Sequence, residues 1–552
     1  MSINSKFIST MLMYIFNKLL KNSKKEFLII FLVMIVSSSI VVYIPYLFSN
    51  IIDGLSVDTL KVSSLYIFVA YAILLGLSLF FQNSINYLAA IIAEKVKFFA
   101  SISFFKKIVY KNSNFFINHN AAEIQSTQIK GSDAVNTITQ LFVMIFFPCI
   151  LQLFFSLYLI GKNIDPIMVL VVFLYGIFFI GFTFFSNIWI RKYLSNAVEQ
   201  GQLNANLAGN AILNIENLKY FNSSNWMYNK FKFGAGEVLD NWRKYCIKRI
   251  SYSLVYGVAL TIQFIIFFLI ILPKFELGLI TIGNIVLFNA LLLQLNKPFE
   301  MVGLSIESLI RSFSELKPFA VMWSNYKNDR LFFELKKEVD FTNNVIEFKN
   351  VSYKYDNGRG INNLSFKTES NKLNFIVGPS GIGKSTILKI LLKNIELFSG
   401  KVLVGGIDIV EVDEFNLYSS VSVVPQDILL LNDTLKSNIV LGRDYNDGIF
   451  YRVIKLASIE HLIFNMPDGI ETKLGERGLS LSGGERQRIA LARALYGEPK
   501  FLLLDEASSS LDFNTEKEII ENLRTYCKDI TILAITHRLS IIREDDHIIK
   551  LG

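Results

Sequence analysis

The sequence predicts a polytopic α-helical membrane domain of six spans, followed by an α/β domain built to handle phosphate. Three observations carry this. Before about residue 320 the chain holds long charge-free runs; after it the composition is that of a soluble domain. Six of those runs are long enough to cross a bilayer. In the second part a buried strand leads directly into GPSGIGKST, residues 378–386. The chain as a whole is 52% hydrophobic and 18% charged, where a soluble protein carries about a quarter charged residues. The expected division is an N-terminal cytoplasmic or interfacial helix at 1–25, a membrane domain at 26–320, a linker at 321–344 and the α/β domain at 345–552.

The expected spans are 27–52, 62–93, 134–161, 166–190, 250–273 and 277–296. Each has roughly the 20 residues that a ~30 Å hydrocarbon core requires at 1.5 Å per residue. Short loops with one lysine each (Lys61, Lys162, Lys274) alternate with long segments at 94–133 and 191–249 that are rich in Lys and Arg. Positive charge favours the cytoplasmic side, so both termini and both long segments are expected there. The long segments read as helical extensions of spans 2 to 5. Residues 7–20 read as an amphipathic helix lying along the lipid interface. No cleavage site follows the first apolar run, so it is expected to be retained.

The net charge of +8 does not imply nucleic acid, because the basic residues cluster beside the spans and form no stripe interleaved with aromatics. The three cysteines, Cys149, Cys246 and Cys527, are far apart and suggest neither a disulfide framework nor a zinc site.

In the phosphate-handling part, Gly378, Gly381 and Gly383 let backbone amides turn inward around phosphates. Lys384 reaches the β and γ phosphates, and Ser385 is a ligand for Mg²⁺. FLLLDE, residues 501–506, follows: a central strand ending in Asp505, placed to hold Mg²⁺ through water, then Glu506 as the base that orients the attacking water. LSLSGGERQRIALARAL, residues 479–495, adds bare amides at Ser482, Gly483 and Gly484 on a helix N-terminus, an anion site.

With these motifs the sequence resembles the ATP-binding cassette (ABC) family over nearly its whole length. LSGGE, residues 481–485, is similar to the family signature LSGGQ, with Glu485 in place of the usual Gln, which implies an altered rate and not a loss of activity. The resemblance implies an ATP site formed by Gly378, Pro379, Ser380, Gly381, Ile382, Gly383, Lys384, Ser385 and Thr386. It implies stacking of Tyr355 on adenine, and Mg²⁺ sensing by Gln426, counted with Ser385 and Asp505 as metal residues. It further implies an exporter-type loop at 472–478 and a loop at Ser510, Leu511 and Asp512 that crosses a dimer interface. His537 is implied as the switch residue on the γ-phosphate. In the family, the phosphate loop of one cassette and the signature helix of another sandwich one ATP. One copy of each per chain therefore implies two chains, with a homodimer expected. The chain ends 15 residues after His537, where similar proteins continue, so a short last lobe is expected.

Six spans followed by one cassette resembles an exporter half-transporter, expected in a bacterial cell membrane with the cassette cytoplasmic. Residues 214–231 and 283–303 are similar to the branch that exports glutathione and heavy-metal conjugates, including mitochondrial members. Antimicrobial-peptide exporters share a Pro and an acidic residue here, and lipid or drug flippases share the architecture. An idle, regulatory cassette would lack Glu506 or His537, and both are present. Within the sixth span, Asn289, Gln294 and Asn296 are expected to contact the transported solute. Asn289, Asn296 and Gly303 are spaced by seven and share a helical face, with Gln294 beside it, and Pro298 is expected to kink the helix. The competing reading is that these amides only join helices.

Overall fold

A computed structural model describes residues 3–56, 63–111, 115–116, 119–324, 341–355, 360–379, 381–395, 399–412, 414–475, 478, 481–506, 512–536 and 538–551. The chain divides into two compact units. One comprises Met1–Tyr110 with Asn120–Lys327. The other comprises Asn328–Gly552 together with the short segment Lys111–His119.

The first unit is helical. Its elements are α1 (Ile3–Ser56), α2 (Ser63–Val109), α3 (Ala121–Leu141), α4 (Phe147–Asn163), α5 (Pro166–Leu213), α6 (Ile215–Tyr220), α7 (Ser224–Glu276) and α8 (Ile282–Ser324). A π-turn, Phe142–Phe146, joins α3 to α4, so among the described residues six helices are long and apolar enough to cross a membrane. This is an integral membrane protein. The spans expected from charge-free runs are the parts of these helices nearest the short loops, and the sixth begins five residues before its helix. At 48 residues, α5 is about 70 Å long at 1.5 Å per residue, more than twice the hydrocarbon thickness.

Helix packing is set by which stripe of each helix is apolar. α5 packs on α7, and α1 packs on both α2 and α8. Phe267 and Phe288 stack at 3.8 Å between α7 and α8, and Phe104 stacks on Phe319 between α2 and α8. Thr183 approaches Gly303 so closely that a Cβ there would lie 2.7 Å from its methyl group. Two polar staples join helices near the ends that carry the short loops. Asp165, the N-cap of α5, pairs with Lys274 at the end of α7. Asp53 in α1 accepts from the Thr281 hydroxyl and the Gly283 amide, both at 2.7 Å.

One expectation differs from this unit. The amphipathic segment at 7–20 is the first part of α1, separated from the span by non-helical backbone at Ser23. Its stripe of Met11, Ile15 and Leu19 is fully buried, with Tyr14 against Trp323 of α8 and Lys18 over Phe99 of α2. The apolar face is thus covered by protein, because neighbouring helices extend past the bilayer and offer it a surface. α8 runs on through Pro298 and Pro318, as a helix that is bent but not ended at a proline does. Proline costs one hydrogen bond, and packing on both sides of α8 outweighs that loss.

The second unit is α/β. Strands β1 (Ile346–Lys354), β2 (Gly360–Lys367), β4 (Ser399–Val404) and β5 (Ile407–Asp408) form an antiparallel sheet in the order β2-β1-β4-β5. Strands β3 (Leu373–Val377), β6 (Val421–Val424), β7 (Phe501–Asp505), β8 (Thr531–Ile535) and β9 (His547–Lys550) form a parallel sheet in the order β6-β7-β8-β3-β9. The central strands β3, β7 and β8 are buried almost throughout, as continuous apolar runs in a sheet covered on both faces require. Helices α9 (Lys384–Leu391), α11 (Leu435–Val440), α12 (Asp447–Leu456), α14 (Gly483–Tyr496) and α15 (Phe513–Tyr526) belong to this unit. So do the shorter α10 (Glu414–Ser420) and α13 (Glu460–Phe464).

Candidate functional site: a phosphate cradle and a membrane cavity

The parallel sheet presents its functional residues at the carboxyl ends of β3 and β7, where ligands of open α/β sheets bind. β3 ends at Val377, and the chain turns through Gly378 and Pro379 to the N-terminus of α9. Gly383 caps α9 at φ 106°, and a Cβ there would lie 2.4 Å from the Ile361 methyl. Only glycine fits, and the turn leaves the first amides of α9 facing the loop. Lys384 is buried, and its ammonium donates to the carbonyls of Gly378 at 2.8 Å and Pro379 at 3.0 Å. The lysine is thereby held inside the loop. Thr386 is buried in the same helix, and Ile382 is half-buried. Ser380 lies outside the described residues.

β7 delivers the acids. The Ser385 hydroxyl is 3.5 Å from Asp505 Oδ1, so strand pairing brings residues 120 apart in sequence to one point. Burial, and then the neighbouring Glu506 carboxylate, push the Asp505 carboxyl above its usual range. Glu506 has left-handed backbone, φ 49°, a conformation that non-glycine residues hold mainly where the surroundings impose it and where function uses it. Gln426 Nε2 donates to Glu506 Oε2 at 3.0 Å, tying the segment after β6 to the residue after β7. Tyr355 is half-buried, with Lys389 5.9 Å from its ring centroid.

Ser482 is the N-cap of α14 and forms a full capping box with Glu485. The Glu485 carboxylate accepts from the Ser482 amide at 2.7 Å and from its hydroxyl at 2.9 Å. Gly483 and Gly484 form the first turn. The Gln-to-Glu departure in the signature thus has a structural role. A carboxylate at N3 satisfies an orphan donor and favours the positive end of the helix dipole, with capping worth about 1 kcal/mol. It also brings negative charge to the anion site. Asp512 caps α15, and hydrogen bonds from Thr515 hold its carboxyl below the usual range. Ser510, Leu511 and His537 lie outside the described residues.

Sequence reasoning missed the anchor of α14. Arg493 donates to the Asn438 carbonyl and side chain and to the Leu429 carbonyl, at 2.8, 3.0 and 3.2 Å. It locks the signature helix to the segment that follows Gln426. An arginine inside an otherwise apolar helix face was the available signal.

In the membrane unit a cavity of about 370 Å³ opens between α5, α7 and α8. Asn296 lines it and accepts from the Tyr175 hydroxyl at 3.3 Å. Glu300, Gly303, Phe179, Tyr256 and Arg249 line it as well. Asn289 is exposed on α8 but is not among the lining residues. Gln294 departs from its expected place. Its Nε2 donates to the Val41 carbonyl of α1 at 3.1 Å, a tie between helices on a different side of α8. Two residues along a helix turn about 200°, so Gln294 and Asn296 cannot share a face.

Arg249 was read from sequence only as a positive-inside charge. In the structure it donates to Asn187 at 2.7 Å and pairs with Glu307 at 3.5 Å, and Tyr245 donates to the same carboxylate at 2.9 Å.

Comparison with known proteins identifies the two regions of the chain. Residues 27–299 match the family described as ABC transporter transmembrane region, and residues 361–509 match ABC transporter. ABC transporter B family member 24, mitochondrial, of Arabidopsis thaliana is 30% identical over 92% of this chain and 77% of its own. The mitochondrial iron-sulfur clusters transporter ATM1 of Yarrowia lipolytica is 29% identical over 98% and 77%. Heavy metal tolerance factor 1 of Caenorhabditis elegans is 27% identical over 94% and 65%. A structure of a bacterial Atm1-family ABC exporter with ATP bound superposes with a TM-score of 0.86 over 96% of this chain and 93% of that one, at 24% identity, which shows the shared fold.

Proposed function

Since this chain belongs to the ABC transporter family, an ATP-hydrolysing half-transporter with six spans and one cassette, we propose that it works as a homodimer that exports a small solute through the cavity lined by Asn296. The class of solute is a glutathione or metal conjugate or a small peptide. The membrane is a bacterial cell membrane, with the cassette on the cytoplasmic side favoured by the Lys- and Arg-rich segments. The observation that carries the dimer is the capping box at Ser482. The signature helix presents a finished anion-facing terminus, and each chain has one such terminus and one phosphate loop.

ATP is cradled by the loop from Gly378 through Gly383 to Thr386, with Ser380 inside it and Tyr355 against the base. Lys384 moves from loop carbonyls to phosphate oxygens. Glu506, held by Gln426, orients the attacking water and accepts its proton. His537 contacts the γ-phosphate. Ser482, Gly483 and Gly484 of the partner chain close the site, and Asp512 positions the crossing loop.

Mg²⁺ fits the donor set: Ser385 and Asp505 bring hard oxygens to one point, Gln426 is held by Glu506, the residue after Asp505, and Asp505 is a largely buried carboxyl next to a second carboxylate. Bound there, the ion neutralises charge on the phosphate oxygens.

The test uses chains reconstituted in liposomes with cassettes outward. Wild-type protein is expected to accumulate a fluorescent glutathione conjugate when ATP is added. Mixed dimers of Lys384→Ala and Ser482→Arg chains keep one intact site, while each mutant homodimer has none. ATP hydrolysis without uptake removes the conjugate class. Mixed dimers no more active than either parent remove the shared site.

A further inference from the structure

Two charged side chains line the membrane cavity, and they differ in one respect. Arg249 is neutralised: its guanidinium is engaged by Asn187 and by Glu307, whose carboxylate also takes the Tyr245 hydroxyl. Glu300 is exposed to the cavity and makes no ion pair or hydrogen bond among the described residues. Lys297, one turn earlier on α8, is exposed and does not reach it. A carboxylate without a counter-charge that faces a cavity between membrane helices by default marks a path or site. The walls beside Glu300 are aromatic: Tyr175, Phe179 and Tyr256, with Phe179 and Tyr256 rings 4.4 Å apart. Aromatic faces attract cations. The polar groups among these walls are spent on each other, Thr183 with Tyr256 at 2.7 Å and Tyr175 with Asn296 at 3.3 Å. The charge left for a solute is therefore negative.

We propose that Glu300 is the specificity-determining residue of the cavity, and that it selects solutes carrying an ammonium or guanidinium group beside an apolar or aromatic body. This rests on the exporter reading of the same cavity and narrows it toward amine-bearing solutes and basic peptides over solutes recognised through their carboxylates. The cationic group meets Glu300, the apolar body lies on Phe179 and Tyr256, and Asn296 accepts or donates one further hydrogen bond. Arg249 does not attract anions, because Glu307 already balances it.

The test measures binding without nucleotide, so that it stands apart from transport. Full-length protein in lipid nanodiscs is titrated with two dyes that share an aromatic body, dansylcadaverine, which carries an amine, and dansylglycine, which carries a carboxylate. Empty discs supply the background. Wild-type protein is expected to bind the amine at least tenfold more tightly, the scale of one charge-assisted contact. Glu300→Asp keeps the preference, Glu300→Gln loses it, and Glu300→Lys inverts it toward dansylglycine. Melting curves confirm that the variants fold, and if Glu300→Gln does not fold, the Asp and Lys variants decide. Equal binding of both dyes by the wild type, a preference for dansylglycine, or an unchanged preference after Glu300→Lys overturns the proposal. Failure of ATP-driven uptake with the dye preference intact counts against the exporter reading alone.

Discussion

The cassette and the membrane unit use polar side chains in opposite ways. In the cassette, short-range spacing fixes the geometry. Lys384 and Ser385 follow Gly383 in sequence and therefore open α9, and Asp505 ends β7 because four apolar residues precede it. In the membrane unit, spacing on one helix says which residues share a face but not which neighbour covers that face. Gln294 and Asn296 are two positions apart and serve different purposes, one tying α8 to α1 and the other lining a cavity with α5. Chemistry that depends on phosphate demands a local motif, while helix packing in lipid accepts many solutions.

The comparison breaks first at Glu506. If the cassette is as locally determined as it appears in its motifs, Glu506→Gln lowers ATP turnover by roughly two to three orders of magnitude, the scale of removing one group that acts in the transition state, while nucleotide binding persists. Phosphate release and equilibrium nucleotide binding on the purified chain measure both. Turnover near the wild-type rate ends the assignment.

A smaller effect separates the two amides of α8. Asn296→Leu is expected to weaken solute affinity about tenfold, the value of one or two buried hydrogen bonds. Gln294→Leu leaves affinity within about twofold and instead lowers thermal stability, by the ~0.6–2 kcal/mol of an interhelical bond in a membrane. Titration of the solute and melting of the same two preparations compare them. Reversed roles for the two residues would mean that the cavity lies against α1.

The smallest effect is at Glu485. Gln preserves the capping box with Ser482 and removes one negative charge from the anion site. Glu485→Gln should lower the ATP concentration for half-maximal hydrolysis by a few-fold, and the difference should shrink in high salt. A variant that loses stability without that shift would make Glu485 purely a cap.

Legibility followed the same division. From sequence, the strand–loop–helix at 374–386, the strand ending in Asp505 and the helix N-terminus at Ser482 could be placed because each is set by backbone geometry within a few residues. The long helices were also legible, as apolar runs with Lys and Arg beyond them. The capping box was not foreseen, although Ser482 followed three residues later by Glu485 spells it; the signature reading had absorbed the glutamate. The fate of the 7–20 stripe was hidden because an apolar face fits protein as well as lipid. Arg249, Asn187 and Glu307 were hidden because they meet only when α5, α7 and α8 pack, across separations of 62 and 58 residues on neighbouring helices.

The staple between Asp165 and Lys274 has a mechanical consequence. It fastens α5 to α7 at one end, and Asp53 does the same for α1 and α8. A rod about 70 Å long that is pinned at one tip is a lever with its fulcrum there. A tilt of about 5° at the pin displaces the free tip by about 6 Å, while side chains near the pin move by less than a rotamer change. The solute cavity lies part of the way along the same rods. A small angular change at the pin therefore displaces the cavity walls a little and the free tips much more.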